Sequence, residues 1–60
     1  MTYNELYRKL GKENCFLLRH GRRHDIWQNS SNGKITQVPR HGTGEVPTGT
    51  LKSIYQELGL

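Results

Sequence analysis

Two turn signals cut the middle of the chain into segments too short to be anything but strands. Gly21 separates the apolar run Cys15-Phe16-Leu17-Leu18 from His24-Asp25-Ile26-Trp27, and Asn32-Gly33 separates the latter from Lys34-Ile35-Thr36-Gln37-Val38. Glycine frees the backbone for a tight turn, and Asn-Gly is a strong hairpin signal because both residues tolerate positive φ. The spacing predicts strands over Asn14 to His20, His24 to Gln28 and Lys34 to Val38, paired as antiparallel hairpins. Pro39 cannot donate to a ladder and marks the exit, and His41-Gly42-Thr43-Gly44 leads flexibly to Val46-Pro47.

Helices flank the strands. Thr2 and Glu5 form a capping box, and Tyr3, Leu6, Tyr7 and Leu10 make one apolar stripe, so a first helix is expected from about Tyr3 to Leu10, closed by a left-handed Gly11. Thr48-Gly49-Thr50 opens a second, with Leu51, Ile54, Tyr55 and Leu58 at helical spacing and Gly59 at its end. Tyr3 and Tyr7 lie on the stripe and are assigned to the core, not to base stacking. The expected fold is α+β, a single small domain over residues 1–60 in the order α-β-β-β-α. Its three-stranded antiparallel sheet carries both helices on one face and leaves the other open. Alternation along the second strand places Asp25 and Trp27 on one face, with His24 and Ile26 on the other. If Trp27 anchors the sheet to the helices, His24 faces outward, provided no bulge near the turn breaks the parity.

Such a chain holds one thin core, because 60 residues with 32% hydrophobic content cannot support two. It gains from a partner that covers it. Cys15 stands alone among apolar neighbours, which points to a buried thiol in a reducing compartment. No apolar run approaches a membrane span, and Tyr3, Asn4 and Glu5 do not read as a signal peptide, so a cytoplasmic protein is expected. The net charge of +4 favours an anionic partner. From Arg19 onward the bases Arg19, Arg22, Arg23, Lys34, Arg40 and Lys52 face only Asp25, Glu45 and Glu57, which predicts a basic face around the strands.

The chemistry concentrates at Gly21-Arg22-Arg23-His24. Histidine, with an unperturbed pKa of about 6.5, takes and returns protons near neutrality, while guanidinium stays charged and suits phosphate. A metal site at His20, His24 and Asp25 is disfavoured, since along one strand the two histidines would stand about 13 Å apart and no Cys pair or helical His pair supports them. No base accompanies Cys15 or any serine at a recognisable spacing. Gly42-Thr43-Gly44 lacks the ending and the preceding strand of a phosphate loop. What remains is metal-free attack on RNA, whose 2′-hydroxyl is a built-in nucleophile. His24 would remove its proton, and Arg19, Arg22 or Arg23 would stabilise the phosphate charge. His20, His41, water or His24 itself are candidates for the acid on the leaving oxygen.

His24-Asp25-Ile26-Trp27, Val38-Pro39-Arg40-His41, Glu45-Val46, Gly49-Thr50-Leu51, Ile54 and Leu58-Gly59 together resemble the HicA (YcfA-like) toxins of bacterial toxin-antitoxin pairs. The resemblance covers nearly the whole chain. It implies a fold like the double-stranded RNA-binding domain, ribonuclease activity on messenger RNA without a cofactor, and neutralisation by an acidic HicB-type antitoxin covering His24. The family's catalytic histidine falls on His24. Arg19, Arg22, Arg23, Lys34, Arg40 and His41 are then the expected RNA contacts. Two features depart from the family pattern: Arg22 and Arg23 stand where a glycine and a small residue are common, and Gly42-Thr43-Gly44 lengthens the loop before Glu45. The competing readings are a noncatalytic double-stranded-RNA-binding module, which needs no histidine at the turn, and a pure protein-interaction domain.

Overall fold

In the computed structural model, which describes all 60 residues, the order is α1 (Tyr3–Lys12), β1 (Cys15–His20), β2 (His24–Asn29), β3 (Ile35–Pro39) and α2 (Thr48–Leu58). The sheet order is β1-β2-β3, antiparallel throughout. This is the expected α-β-β-β-α domain.

Both helices lie on one face of the sheet. The core joins Tyr3, Leu6 and Leu10 of α1 to Ile54 and Leu58 of α2, over Cys15 and Val38 and with Val46 from the preceding loop. Trp27 stacks on Tyr7 with ring centroids 5.8 Å apart and planes 12° from parallel, which fastens the central strand to α1. The buried Asn29 side chain donates to the Leu58 carbonyl at 2.8 Å, so β2 also supplies a partner for an orphan carbonyl at the end of α2. Thr36 donates to Glu57 across the β3–α2 contact. Burial pushes the Cys15 thiol above its usual range, in keeping with a buried structural residue.

The capping box forms as read: Glu5 N–H donates to Thr2 Oγ1 at 3.2 Å and Thr2 N–H to Glu5 Oε1 at 3.0 Å. The far end of α1 differs from the expectation. Gly11 stays helical, the helix runs to Lys12, and the left-handed residue is Asn14, at φ 65°. Asparagine tolerates that region, and two more residues of helix let β1 start at the buried Cys15. The second hairpin also differs. Only Gly33 of the Asn-Gly pair has positive φ, because Asn29 Oδ1 accepts from Ser31 N–H and Asn32 Oδ1 from Lys34 N–H, making a longer loop held by side chains. At α2 no side chain caps the N-terminus, which begins after Pro47, while Gly59 closes the helix at φ 72° as expected.

A bulge does occur, but in β1. Leu17 pairs with Trp27 and Arg19 with Ile26, leaving Leu18 unpaired. The alternation of β2 is therefore unbroken. Trp27 and Asp25 face the helices, and His24 and Ile26 face the open side, as the parity argument requires.

Candidate active site

Position 21 takes glycine because of a close approach, not a special φ. A Cβ on Gly21 would sit 2.4 Å from the His24 carbonyl oxygen, and the Gly21 amide donates to that same oxygen at 2.8 Å. Arg22 and Arg23 form the tip, and His24 follows as the first residue of β2, paired with Pro39. The sequence thus places a half-buried imidazole on the open face where the sheet meets the turn.

Two shallow depressions meet there. Gly21, Arg22 and Arg23 rim one; the other runs from Arg19 past Ile35 and Pro39 toward Thr50, Ser53 and Glu57. His24, Ile26 and Gln37 belong to both. Ile26 is the floor. Although it faces away from the core it is only 8% exposed, since the turn folds close to its Cδ1. Arg19 lies opposite Ile26 on β1 and Gln37 opposite it on β3, so one cross-strand row carries a base, an apolar floor and an amide beside the histidine.

The other expected contacts separate into distinct places. Arg40 directs its guanidinium to the turn, donating from Nη2 to the Gly21 and Arg22 carbonyls at 3.0 Å each. Its Nε lies 3.5 Å from Asp25 Oδ1. Lys34 lies near Gly59 at the C-terminal end of α2, at the other end of β3 from His24, where the negative end of the helix dipole favours a cation. His41 packs edge-on against Tyr3 at 5.5 Å, in a loop tied to the start of α1 by Tyr3 N–H to Gly44 O and Asn4 N–H to Gly42 O. The structure therefore gathers Arg19, Arg22, Arg23 and His24, and leaves Lys34 and His41 apart from them.

Asp25 follows His24 in sequence but serves the opposite face. It is buried, and its Oδ1 lies 2.8 Å from His20 Nδ1. His20 and Asp25 thus pair with each other and not with His24, so His24 is not oriented by that carboxylate. Gln37 stands outside the expected site residues; its signal was available in register, since a hairpin pairing Ile26 with Gln37 puts its side chain on the histidine's face.

No helix is long and apolar enough to cross a membrane. The family model described as HicA toxin of bacterial toxin-antitoxin matches residues 3–60. No curated protein and no solved structure matches the chain. With the match running from the first helix to the last residue, the chain belongs to the HicA toxin family of bacterial toxin-antitoxin systems.

Proposed function

We propose that the chain is a metal-independent endoribonuclease, an mRNA interferase, in which His24 moves the protons and Arg19, Arg22 and Arg23 hold the scissile phosphate. The observation that carries this reading is the meeting of the two depressions at His24, one rimmed by Arg22 and Arg23 and the other by Arg19. A phosphodiester lying over Ile26 meets an imidazole and guanidinium groups together. Neutral His24 takes the proton of the 2′-hydroxyl, and the 2′-oxygen attacks phosphorus. The bond from phosphorus to the 5′-oxygen breaks, and a proton is delivered to that oxygen. The products are a 2′,3′-cyclic phosphate and a 5′-hydroxyl. The arginines stabilise charge developing on the non-bridging oxygens. One histidine suffices because the nucleophile comes with the substrate and the proton it gains can be returned to the leaving group.

Cleavage of messenger RNA would stop translation and growth, so the activity needs a partner that silences it. Family membership brings an antitoxin. We infer an acidic HicB-type protein that covers His24, its carboxylates meeting Arg19, Arg22 and Arg23.

The test uses purified protein, a chelator, and a labelled DNA strand containing a single ribonucleotide. Cleavage is expected at the ribonucleotide alone and is expected to fall at least about 100-fold in His24→Ala, while the stability of that variant stays within about 0.5 kcal/mol of the parent. A folded His24→Ala protein that cuts at the parental rate overturns the mechanism. RNA retained without being cut identifies a noncatalytic binder.

A further inference from the structure

We propose that Arg40 is a positioning residue: its guanidinium clamps the β1–β2 turn in the shape that presents His24, Arg22 and Arg23 to the groove, and does not itself bind the phosphate. The proposal rests on the reading of His24 as the acid and base, and it reassigns a residue that the sequence places among the RNA ligands.

The turn is poorly held by its own backbone. Tight two-residue hairpins favour turns with positive φ at the tip, because that twist matches the strands. Here neither Arg22 nor Arg23 has positive φ; Asn14 is the one non-glycine residue that does. The closing pair is half made as well. Gly21 N–H donates to His24 O, but the Gly21 carbonyl, which would receive the His24 amide in a regular hairpin, accepts from Arg40 Nη2 instead. The same nitrogen takes the Arg22 carbonyl. Two successive carbonyls of the turn are thus tied to one cation.

That cation is itself fixed at both ends. Arg40 follows Pro39, which pairs with His24, so its backbone leaves β3 directly beside the residue it would position. Its Nε faces Asp25 Oδ1, and Asp25 is held from β1 by His20. A planar guanidinium can address a carboxylate and two carbonyls at once, which a lysine ammonium on its flexible stem cannot do in the same geometry. Its charge is already set against Asp25, whereas the ion pairs of the chain do not engage Arg19, Arg22 or Arg23. The division of labour is one arginine behind the turn and three facing the groove.

The experiment compares parent, Arg40→Ala, Arg40→Lys and Arg22→Ala. It follows cleavage of a short RNA, the salt dependence of binding to a 2′-deoxy analogue, and exchange of the Gly21 amide by NMR. Arg40→Ala and Arg40→Lys are both expected to lose on the order of 10- to 100-fold in kcat with KM changed less than about 3-fold, since a small misplacement of a reacting group is costly. Both should keep the parental salt slope and exchange the Gly21 amide at least about 10-fold faster. Arg22→Ala, by contrast, should lower the slope by about 0.7, the value for one phosphate contact on a single strand. A slope lowered equally in Arg40→Ala and restored in Arg40→Lys, or an unchanged Gly21 exchange rate, overturns the proposal. If the parent cuts no RNA the ribonuclease reading fails instead. The Gly21 exchange and the salt slopes then still decide whether Arg40 clamps the turn.

Discussion

Tyr7 shows how one side chain ties the fold to the site. Its ring carries Trp27 on one side, and its hydroxyl donates to the Pro39 carbonyl at 2.6 Å, at the end of β3 that pairs with His24. Burial, aided by the negative charge of Asp25, raises the Tyr7 phenol above its usual range. A raised folded-state value means that the unfolded phenol ionises first. The stabilisation is therefore complete below about pH 10 and is lost as pH climbs from there through the folded value. Denaturant midpoints between pH 9 and 11 should fall for the parent and fall less for Tyr7→Phe, which itself should be about 1 kcal/mol less stable at neutral pH from the lost hydrogen bond. Equal alkaline losses in both proteins would show that another group titrates. At this scale the sequence was informative where alternation decides: once Trp27 is taken as the anchor to the helices, His24 outward follows from period two, while the burial of Cys15 was read from its apolar neighbours. The engagement of Asp25 with His20 and Arg40 does not. It depends on the shape of the turn between them and on where β3 ends, which no spacing within β2 encodes.

The elements were legible and their ends were less so. Capping boxes are local chemistry, so Thr2 and Glu5 marked the start of α1 correctly, and Gly59 marked the close of α2. Gly11 misled because glycine after an apolar stripe is so often the left-handed cap. Here Asn14 takes that conformation three residues later, and Gly11 remains an exposed helical residue with nothing within 4 Å of the place a Cβ would occupy. Gly11→Ala should therefore stabilise the protein by about 0.5–1 kcal/mol, by removing the glycine penalty inside a helix. Thermal unfolding measures it, and a lower midpoint would mean that residue 11 needs a conformation alanine resists. The run Phe16-Leu17-Leu18 marked a strand correctly, but its apolar character does not report burial: β1 is an edge and buries only Cys15. The bulge at Leu18 and the lack of a fourth strand leave these side chains in solvent, facts that only the strand order supplies.

At the scale of the whole molecule, the exposed side chains of Phe16 and Ile35 and the basic groove belong to one surface. Phe16 and Ile35 flank Gln28 in a row on the open face, at 43% and 51% exposure, next to the row that holds Arg19, Ile26 and Gln37. Because Ile26 is already covered by the turn, an antitoxin covering His24 as proposed above would draw its apolar contact on this face from Phe16 and Ile35. Its carboxylates would meet the arginines about one strand row away. A stable complex buries about 800 Å² on each side; against a total surface of 4030 Å², that is roughly a fifth of the molecule, enough to cover both rows and exclude RNA by overlap. Binding to the folded state alone would also stabilise a domain with so thin a core, by about 4 kcal/mol at a thousand times the Kd. Hydrogen exchange on the purified complex should show protection over residues 22–28 and at both Phe16 and Ile35. Phe16→Ser should weaken the complex while leaving cleavage by the free toxin intact, since Phe16 lines neither depression. A partner that silences cleavage while residues 22–28 exchange as fast as in the free protein would place its action elsewhere than on His24.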